Sequence, residues 1–211
     1  MVVTELKAQK GHLICVTFDN QKTVLLDKDF VLENGIRAER EFTPKEVAAF
    51  FEQSEYRRAI SRSVWYIERG SLSSKKLLEK LSKAGFDLET CQKAVLRMRE
   101  LDLINDELLA ERLAEQYLKN GISVREAENK LFLKGIDRSV AKSALDLFEV
   151  DATKQIKLLI NKKYRAKLTV KENIPKVFAA LTRKGFKYSD IKKVLSEYSE
   201  ELSNSEEDYG V

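Results

Sequence analysis

The sequence predicts a mainly α protein. Three tandem three-helix repeats form an elongated curved rod, preceded by a small antiparallel β-meander. Three observations carry this reading. Gly85, Gly135 and Gly185 stand fifty residues apart, each in the same local text: KAGF at 83–86, LKGI at 133–136 and RKGF at 183–186. After each glycine, apolar residues recur at i, i+3, i+4 and i+7, which is one face of an α-helix. Residues 2–34 instead alternate apolar and polar and are rich in β-formers. A period of fifty marks an array whose units stack on one another, so function is sought on a repeated surface rather than in one pocket.

The β-rich start offers strands at 2–8, 13–18 (LICVTF) and 23–26 (TVLL). Lys10-Gly11 separates the first two, and Asp19-Asn20-Gln21-Lys22 is turn-like. Thr43-Pro44-Lys45-Glu46 then opens a helix, with Pro at the first helical position and Glu placed to close a capping box. That helix is expected to run to about Ser54 and to link the β-domain to the repeats. The boundaries that follow are 1–42 for the β-rich domain, 43–56 for the linking helix, 57–106, 107–150 and 151–198 for the repeats, and 199–211 for an acidic, disordered tail.

Within each repeat the glycine closes a helix in the left-handed conformation. The next residue should then be apolar and contact the residue five before it. Phe86 with Leu81, Ile136 with Leu131 and Phe186 with Leu181 satisfy this rule. The closed helices are expected at 73–84, 123–134 and 169–184, the last two opened by the boxes Ser123-x-x-Glu126 and Thr169-x-x-Glu172. Copy one has Lys76 in place of the acid. The helix after each glycine buries Cys91, Ala94, Val95 and Met98, then Ala141, Ala144, Leu145 and Phe148, then Ile191, Val194, Leu195 and Tyr198. Asp87 and Asp137 cap the first two, and Ser189 is the candidate for the third. The helix before each closed one is marked by Ile60, Val64 and Ile67, by Ala110, Ala114 and Tyr117, and by Ile160 and Tyr164, with a longer turn in copy three.

Several function classes are excluded by what the text lacks. No phosphate loop, dinucleotide fingerprint, GxSxG, HExxH or CxxC occurs. The single histidine, His12, has no ligand cluster around it in sequence and reads as a turn residue. Non-enzyme is the default, with no cofactor and no metal. No apolar run is long enough to span a bilayer and no secretory leader opens the chain. Cys15 and Cys91 fall on apolar faces as reduced thiols, which places the protein in the cytoplasm.

Charge is partitioned. The net +4 conceals 31 Lys/Arg against 19 Asp/Glu in residues 57–198, while 1–56 and 199–211 are both acidic. Copy three holds 13 cations against 4 acids, copy one 11 against 7, and copy two 7 against 8. A single Lys-rich face is ordinary solvated surface. A regional excess flanked by acidic segments favours a polyanion partner, bound through phosphate and sensitive to salt. No helix carries a base-reading set of Arg, Asn and Gln, so recognition is not sequence-specific. The candidate contacts are Arg57, Arg58, Arg62, Lys75 and Lys76 in copy one, with Lys162, Lys163, Arg165, Lys167, Lys171 and Lys176 in copy three. Trp65 aligns with Glu115 and Arg165, at a solvent-facing position. It is expected to pack on the N-terminal domain or an adjacent helix, with base stacking as the sharper alternative.

At this point the residues resemble a family. Leu103-Ile104-Asn105-Asp106, Asn120-Gly121-Ile122-Ser123-x-x-Glu126, Lys130-Leu131-x-x-Lys134-Gly135-Ile136 and Arg183-Lys184-Gly185-Phe186, in that order and spacing, are similar to the RecX family of bacterial recombination regulators. The likeness runs from near residue 1 to about 198. Lys76 and the acidic balance of copy two depart from it. The resemblance implies a monomer of three three-helix repeats that lies along the RecA–single-stranded DNA filament. It implies inhibition of ATPase and strand exchange by blocked extension or promoted disassembly, and damping of the SOS response. The rival readings are a general single-stranded nucleic-acid-binding module without a RecA partner, and a protein-binding helical adaptor.

Overall fold

The structure is a computed structural model that describes the backbone of residues 1–207 and the side chains of 1–198. It is mainly α, with a small sheet at the start and three helix triplets in tandem. The chain divides into two compact units, Met1–Asn105 and Asp106–Val211.

In the first unit, strands β1 (Val3–Gln9), β2 (Leu13–Phe18) and β3 (Thr23–Asp27) form an antiparallel meander in sequence order. Ile14 faces Leu26 across the second pair and Val16 faces Val24. Asp27 caps a short helix α1 (Lys28–Glu33), accepting from the N–H groups of Asp29 and Phe30. His12 sits in the β1–β2 turn with φ +65°, its Nε2 3.3 Å from the Asp29 carboxylate, and both side chains are exposed. Val3, Val16, Phe18, Leu26, Phe30 and Val31 build the core of this part.

Helix α2 (Pro44–Ile67) joins that core to the first repeat. Its opening carries a complete capping box: the Glu46 N–H donates to Thr43 Oγ1, and Glu46 accepts from the Thr43 N–H at 2.7 Å. The separate linking helix expected over 43–56 does not exist. Linker and first repeat helix are one 24-residue rod. No Gly or Pro interrupts 45–67, so nothing in the backbone ends the helix near Ser54. Ser54 is instead buried and accepts from the Asp27 N–H at 2.7 Å, which ties β3 to the middle of α2. Val47 and Phe50 serve the β-core, and Ala59, Ile60, Val64 and Ile67 serve the core of copy one. Helices α3 (Ser74–Lys83) and α4 (Leu88–Glu100) complete that copy around buried Leu77, Leu81, Cys91, Ala94 and Met98. Cys91 is buried and Cys15 half-buried, and both are free thiols.

The second unit holds copies two and three. Copy two is α5 (Asp106–Lys119), α6 (Val124–Leu133) and α7 (Arg138–Asp146). Copy three is α8 (Ala152–Lys163), α9 (Ile174–Arg183) and α10 (Tyr188–Glu207). The three glycine ends are alike. Gly85, Gly135 and Gly185 have φ of +94°, +84° and +87°, and the N–H of Phe86, Ile136 and Phe186 reaches back to the carbonyl of Leu81, Leu131 and Leu181. This is the six-to-one closure that a left-handed glycine permits.

Four local expectations are corrected. Ser123 accepts from the Glu126 N–H, but the Glu126 carboxylate turns away to Lys130 and Lys184, so only half the box forms. Thr169 caps nothing: its hydroxyl donates to the Ala166 carbonyl. Two 3-10 turns, Arg165–Lys167 and Lys171–Asn173, fill the approach, and α9 opens at Ile174 with Pro175 in its first turn. Proline has no N–H to leave unpaired there and disfavours helix in the residue before it. Ser189 lies inside α10 and donates to Asp190. Finally, α10 continues to Glu207, so the tail expected to be disordered from 199 is helical through that residue. Its Glu-rich stretch has no Gly or Pro to stop propagation. Residues 208–211 of that tail lie outside the described residues.

Copies two and three are stacked by polar and apolar contacts that cross the repeat boundary. Gln155 Nε2 donates to the carbonyls of Leu118 and Ile122, satisfying acceptors at the end of α5. Ser123 Oγ donates to the Lys184 carbonyl, and Lys184 Nζ lies 3.5 Å from Glu126.

Candidate functional site

In copy one the candidate cations are largely engaged. Arg57, at the middle of α2, lies over the Phe30 ring and meets Glu33 at 2.7 Å. Arg58 lies over Phe86 with Glu55 at 3.7 Å. Lys76 binds Glu79 at 2.7 Å, and that hydrogen bond holds the Glu79 carboxyl below the ordinary carboxylate range. Lys75 is exposed on α3.

Arg62 belongs to a different cluster. Its guanidinium lies 5.0 Å from the Trp65 ring centre and 5.7 Å from that of Tyr66. Arg69 sits 3.5 Å over Trp65 and donates from Nη1 to the Trp65 carbonyl at 2.9 Å. Lys80, from α3, lies 4.9 Å over Tyr66. Trp65 is 40% exposed, so the packing expected for it on the β-domain or a neighbouring helix is not what the fold provides. Its covering comes from Arg62, at i−3 on α2, and from Arg69, at i+4 in the turn just past the end of that helix. Arg69 was missed in sequence although its spacing from Trp65 was readable. Lys80 was missed because its approach is tertiary.

Copy three presents its charge differently. Lys162 and Lys163 end α8, Arg165 and Lys167 lie in the first 3-10 turn, and Lys171 opens the second. Five of the six candidates thus fall within the ten residues 162–171, from the end of α8 into the turns before α9, and all five are exposed. Lys176 stands on the first turn of α9 and donates to Asn173 Oδ1 at 3.1 Å. Among the described residues, Lys162, Lys163, Arg165 and Lys167 make no ion pair or side-chain hydrogen bond. Leu168, buried in the copy-three core, anchors the connector between them. The segment is held at one buried point and offers cations on both sides of it. Such an arrangement attracts phosphates without selecting bases.

Among the described residues no group of three or more His, Cys, Asp or Glu could hold a metal ion, and no helix is long and apolar enough to cross a membrane.

Comparison with known proteins was informative at the level of relatives. No family model matches the chain. It is 24% identical over 202 residues to Regulatory protein RecX of Clostridioides difficile, covering 92% of this chain and 94% of that one. It is 25% identical over 202 residues to Regulatory protein RecX of Caldanaerobacter subterraneus, covering 93% and 99%. Among solved structures, a crystal structure of regulatory protein RecX shares the fold with a TM-score of 0.66 at 20% identity, over 92% of this chain and 98% of that one.

Proposed function

From the premise that this chain is a homologue of the curated RecX regulatory proteins along nearly its whole length, we propose that it regulates recombination and the SOS response by binding the RecA–single-stranded DNA filament. Binding inhibits RecA's ATPase and strand exchange, by blocked extension or promoted disassembly. The supporting observation is the stretch 162–171, where four cations without partners among the described residues stand exposed on a repeat that otherwise resembles the other two. Unpaired Lys and Arg meet phosphate without first breaking an internal ion pair, so their binding energy is undiminished. Tandem repeats let several weak contacts act together once one is made. Copy three is the DNA-facing part of this reading. The protein acts as a cytoplasmic monomer, without a cofactor.

The test is RecA's DNA-dependent ATPase on saturated single-stranded DNA, with and without the protein. Inhibition that persists where free DNA sites are in excess supports filament binding. Inhibition relieved in proportion to added DNA supports the second reading, a general single-stranded nucleic-acid-binding module. The exposed Arg62–Trp65–Arg69 stack is the observation that favours that alternative.

A further inference from the structure

Two cavities occupy the same place in copies one and three. The first, about 960 Å³, lies in the first unit between α2, the glycine end of α3, and α4. The second, about 850 Å³, lies in the second unit around the start of α8, the glycine end of α9 and the start of α10. Their linings correspond at an offset of one hundred residues: Glu55 with Gln155, Gly85 with Gly185, Phe86 with Phe186, Asp87 with Lys187.

In copy three a neighbouring helix packs against the glycine end and forms one wall of the groove. The first turn of α6, from copy two, lines it through Ser123, Val124 and Arg125. Ser123 caps α6 and at the same time donates to the Lys184 carbonyl. A Cβ on Gly185 would stand 3.0 Å from Arg125 Cβ and 3.1 Å from Ser123 Oγ. Glycine is required there both by its φ and by the closeness of the visiting helix. Gln155 completes the seat by donating to two carbonyls of copy two. The groove is therefore a seat for a hydroxyl-capped helix start.

In copy one the same seat is open. Nothing stands within 4 Å of where a Cβ on Gly85 would be. Phe51 and Leu96 on its walls are 42% and 55% exposed. Its polarity is also inverted. Glu55, an acceptor, replaces the donor Gln155, and Asp87 replaces Lys187. Glu52 adds a further acid, while the rim cations Lys93 and Arg97 are engaged by Glu89 at 2.6 Å and Glu100 at 3.0 Å.

We propose that the copy-one groove docks the first turn of a helix from a protein partner, one with a Ser or Thr cap and Lys or Arg in that turn. A helix start brings unpaired N–H groups and positive partial charge, and its basic side chains add to that. Glu52 and Glu55 complement both, and Phe51 and Leu96 cover the apolar side of the turn. Phosphate is repelled by the same acids, so this surface and the copy-three connector engage different parts of a target. Burial, with the neighbouring Asp87 charge behind it, pushes the Glu55 carboxyl up, and Arg58 pulls it back; a cationic visitor pulls it down in the same sense as Arg58. The proposal stands on the repeat geometry and does not depend on the identity of the RecA partner.

The probe is a fluorescein-labelled peptide of residues 120–134, locked as a helix by a lactam between Glu126 and Lys130 and carrying Glu128→Lys. Fluorescence polarisation measures its binding to the full chain and to Leu96→Arg and Glu55→Lys variants, with circular dichroism verifying their fold. The expected result is saturable binding that falls about tenfold or more in each variant, about 1.4 kcal/mol or more. An Arg125→Glu version of the peptide should bind correspondingly worse. Absence of saturable binding, or equal affinity in all variants, overturns the proposal. A concentration-dependent dimer in sedimentation velocity that Leu96→Arg abolishes would assign the seat to a second copy and overturn the partner reading. Neither RecA nor DNA enters these measurements, so failure here is separable from failure of the regulatory function.

Discussion

Copies one and three share a helical plan and an excess of positive charge, yet they hold that charge in opposite ways. In copy one, Arg57, Arg58 and Lys76 face Glu33, Glu55 and Glu79, while Arg62 and Arg69 lie against Trp65. In copy three, Lys162 and Lys163 at the end of α8 and Arg165 and Lys167 in the 3-10 turn after it have no partners among the described residues. The lesson is that a count of cations does not locate an anion-binding surface. A Lys or Arg already paired or stacked must surrender that contact to meet phosphate, and the exchange leaves little net gain. The same pair of copies differs in its grooves: one is acidic with nothing against its glycine, and the other has a neighbouring helix packed on its glycine.

The largest expected effect breaks or confirms the charge comparison. Reversing Lys162, Lys163, Arg165 and Lys167 to Glu should weaken binding to an oligo-dT by more than about a hundredfold and flatten the salt dependence by about 3 logarithmic units per decade, from ~0.7 per phosphate contact. Reversal of Arg57, Arg58 and Lys76 should stay within about threefold. Equal losses in a filter-binding titration would mean that the paired and unpaired cations are equivalent and would sink the distinction.

The grooves come next. Gly185→Ala meets both a left-handed backbone and the side chains of Ser123 and Arg125, whereas Gly85→Ala meets only the backbone. Urea unfolding should show losses of about 3 kcal/mol for the first and about 1 kcal/mol for the second. A smaller step isolates the visiting helix. Ser123→Ala removes the α6 cap together with the donor to Lys184, at a cost of about 1–2 kcal/mol.

Glu55 tests the inverted polarity through pH. Its carboxyl binds a proton more tightly in the folded chain, chiefly because it is buried. The resulting ionisation penalty is present above the folded pKa and disappears as pH falls through it. Glu55→Gln should therefore stabilise by roughly 0.5 kcal/mol at pH 7, after allowance for solvent screening, and by nothing in acid. A gap in thermal denaturation that widens on acidification would contradict the assignment. The least energetic test uses the sole tryptophan. Arg69→Ala should change stability by no more than about 0.5 kcal/mol yet shift the Trp65 emission, because the cation 3.5 Å over the ring is removed. An unchanged spectrum would mean the stack is absent in solution.

The three glycine closures, the apolar faces of α4, α7 and α10, the meander and the Thr43–Glu46 box were all legible from residues within a few positions of one another. Local stereochemistry and helical period fix those features wherever they occur. Legibility failed where a side chain had a choice. Glu126 could close its own box or reach Lys184, and packing of copy three against copy two put the lysine in range. Ser54 lay in the expected linker but is buried by β3, and that burial carries α2 through without a break. Trp65 could have sought a neighbour but found Arg62 of its own helix and Arg69 just past its end. The copy-three connector was visible as a charge run, though not as an unpaired one.

The sequence by itself determined a triplicated helical unit, its core and its helix ends, because turn chemistry and periodicity act over four or five residues. Tertiary structure alone decided which cations are spent on nearby carboxylates and which glycine end receives a neighbouring helix. Those outcomes depend on groups such as Glu33 and Arg57, or Ser123 and Lys184, which are far apart in the chain and meet only after the helices have packed.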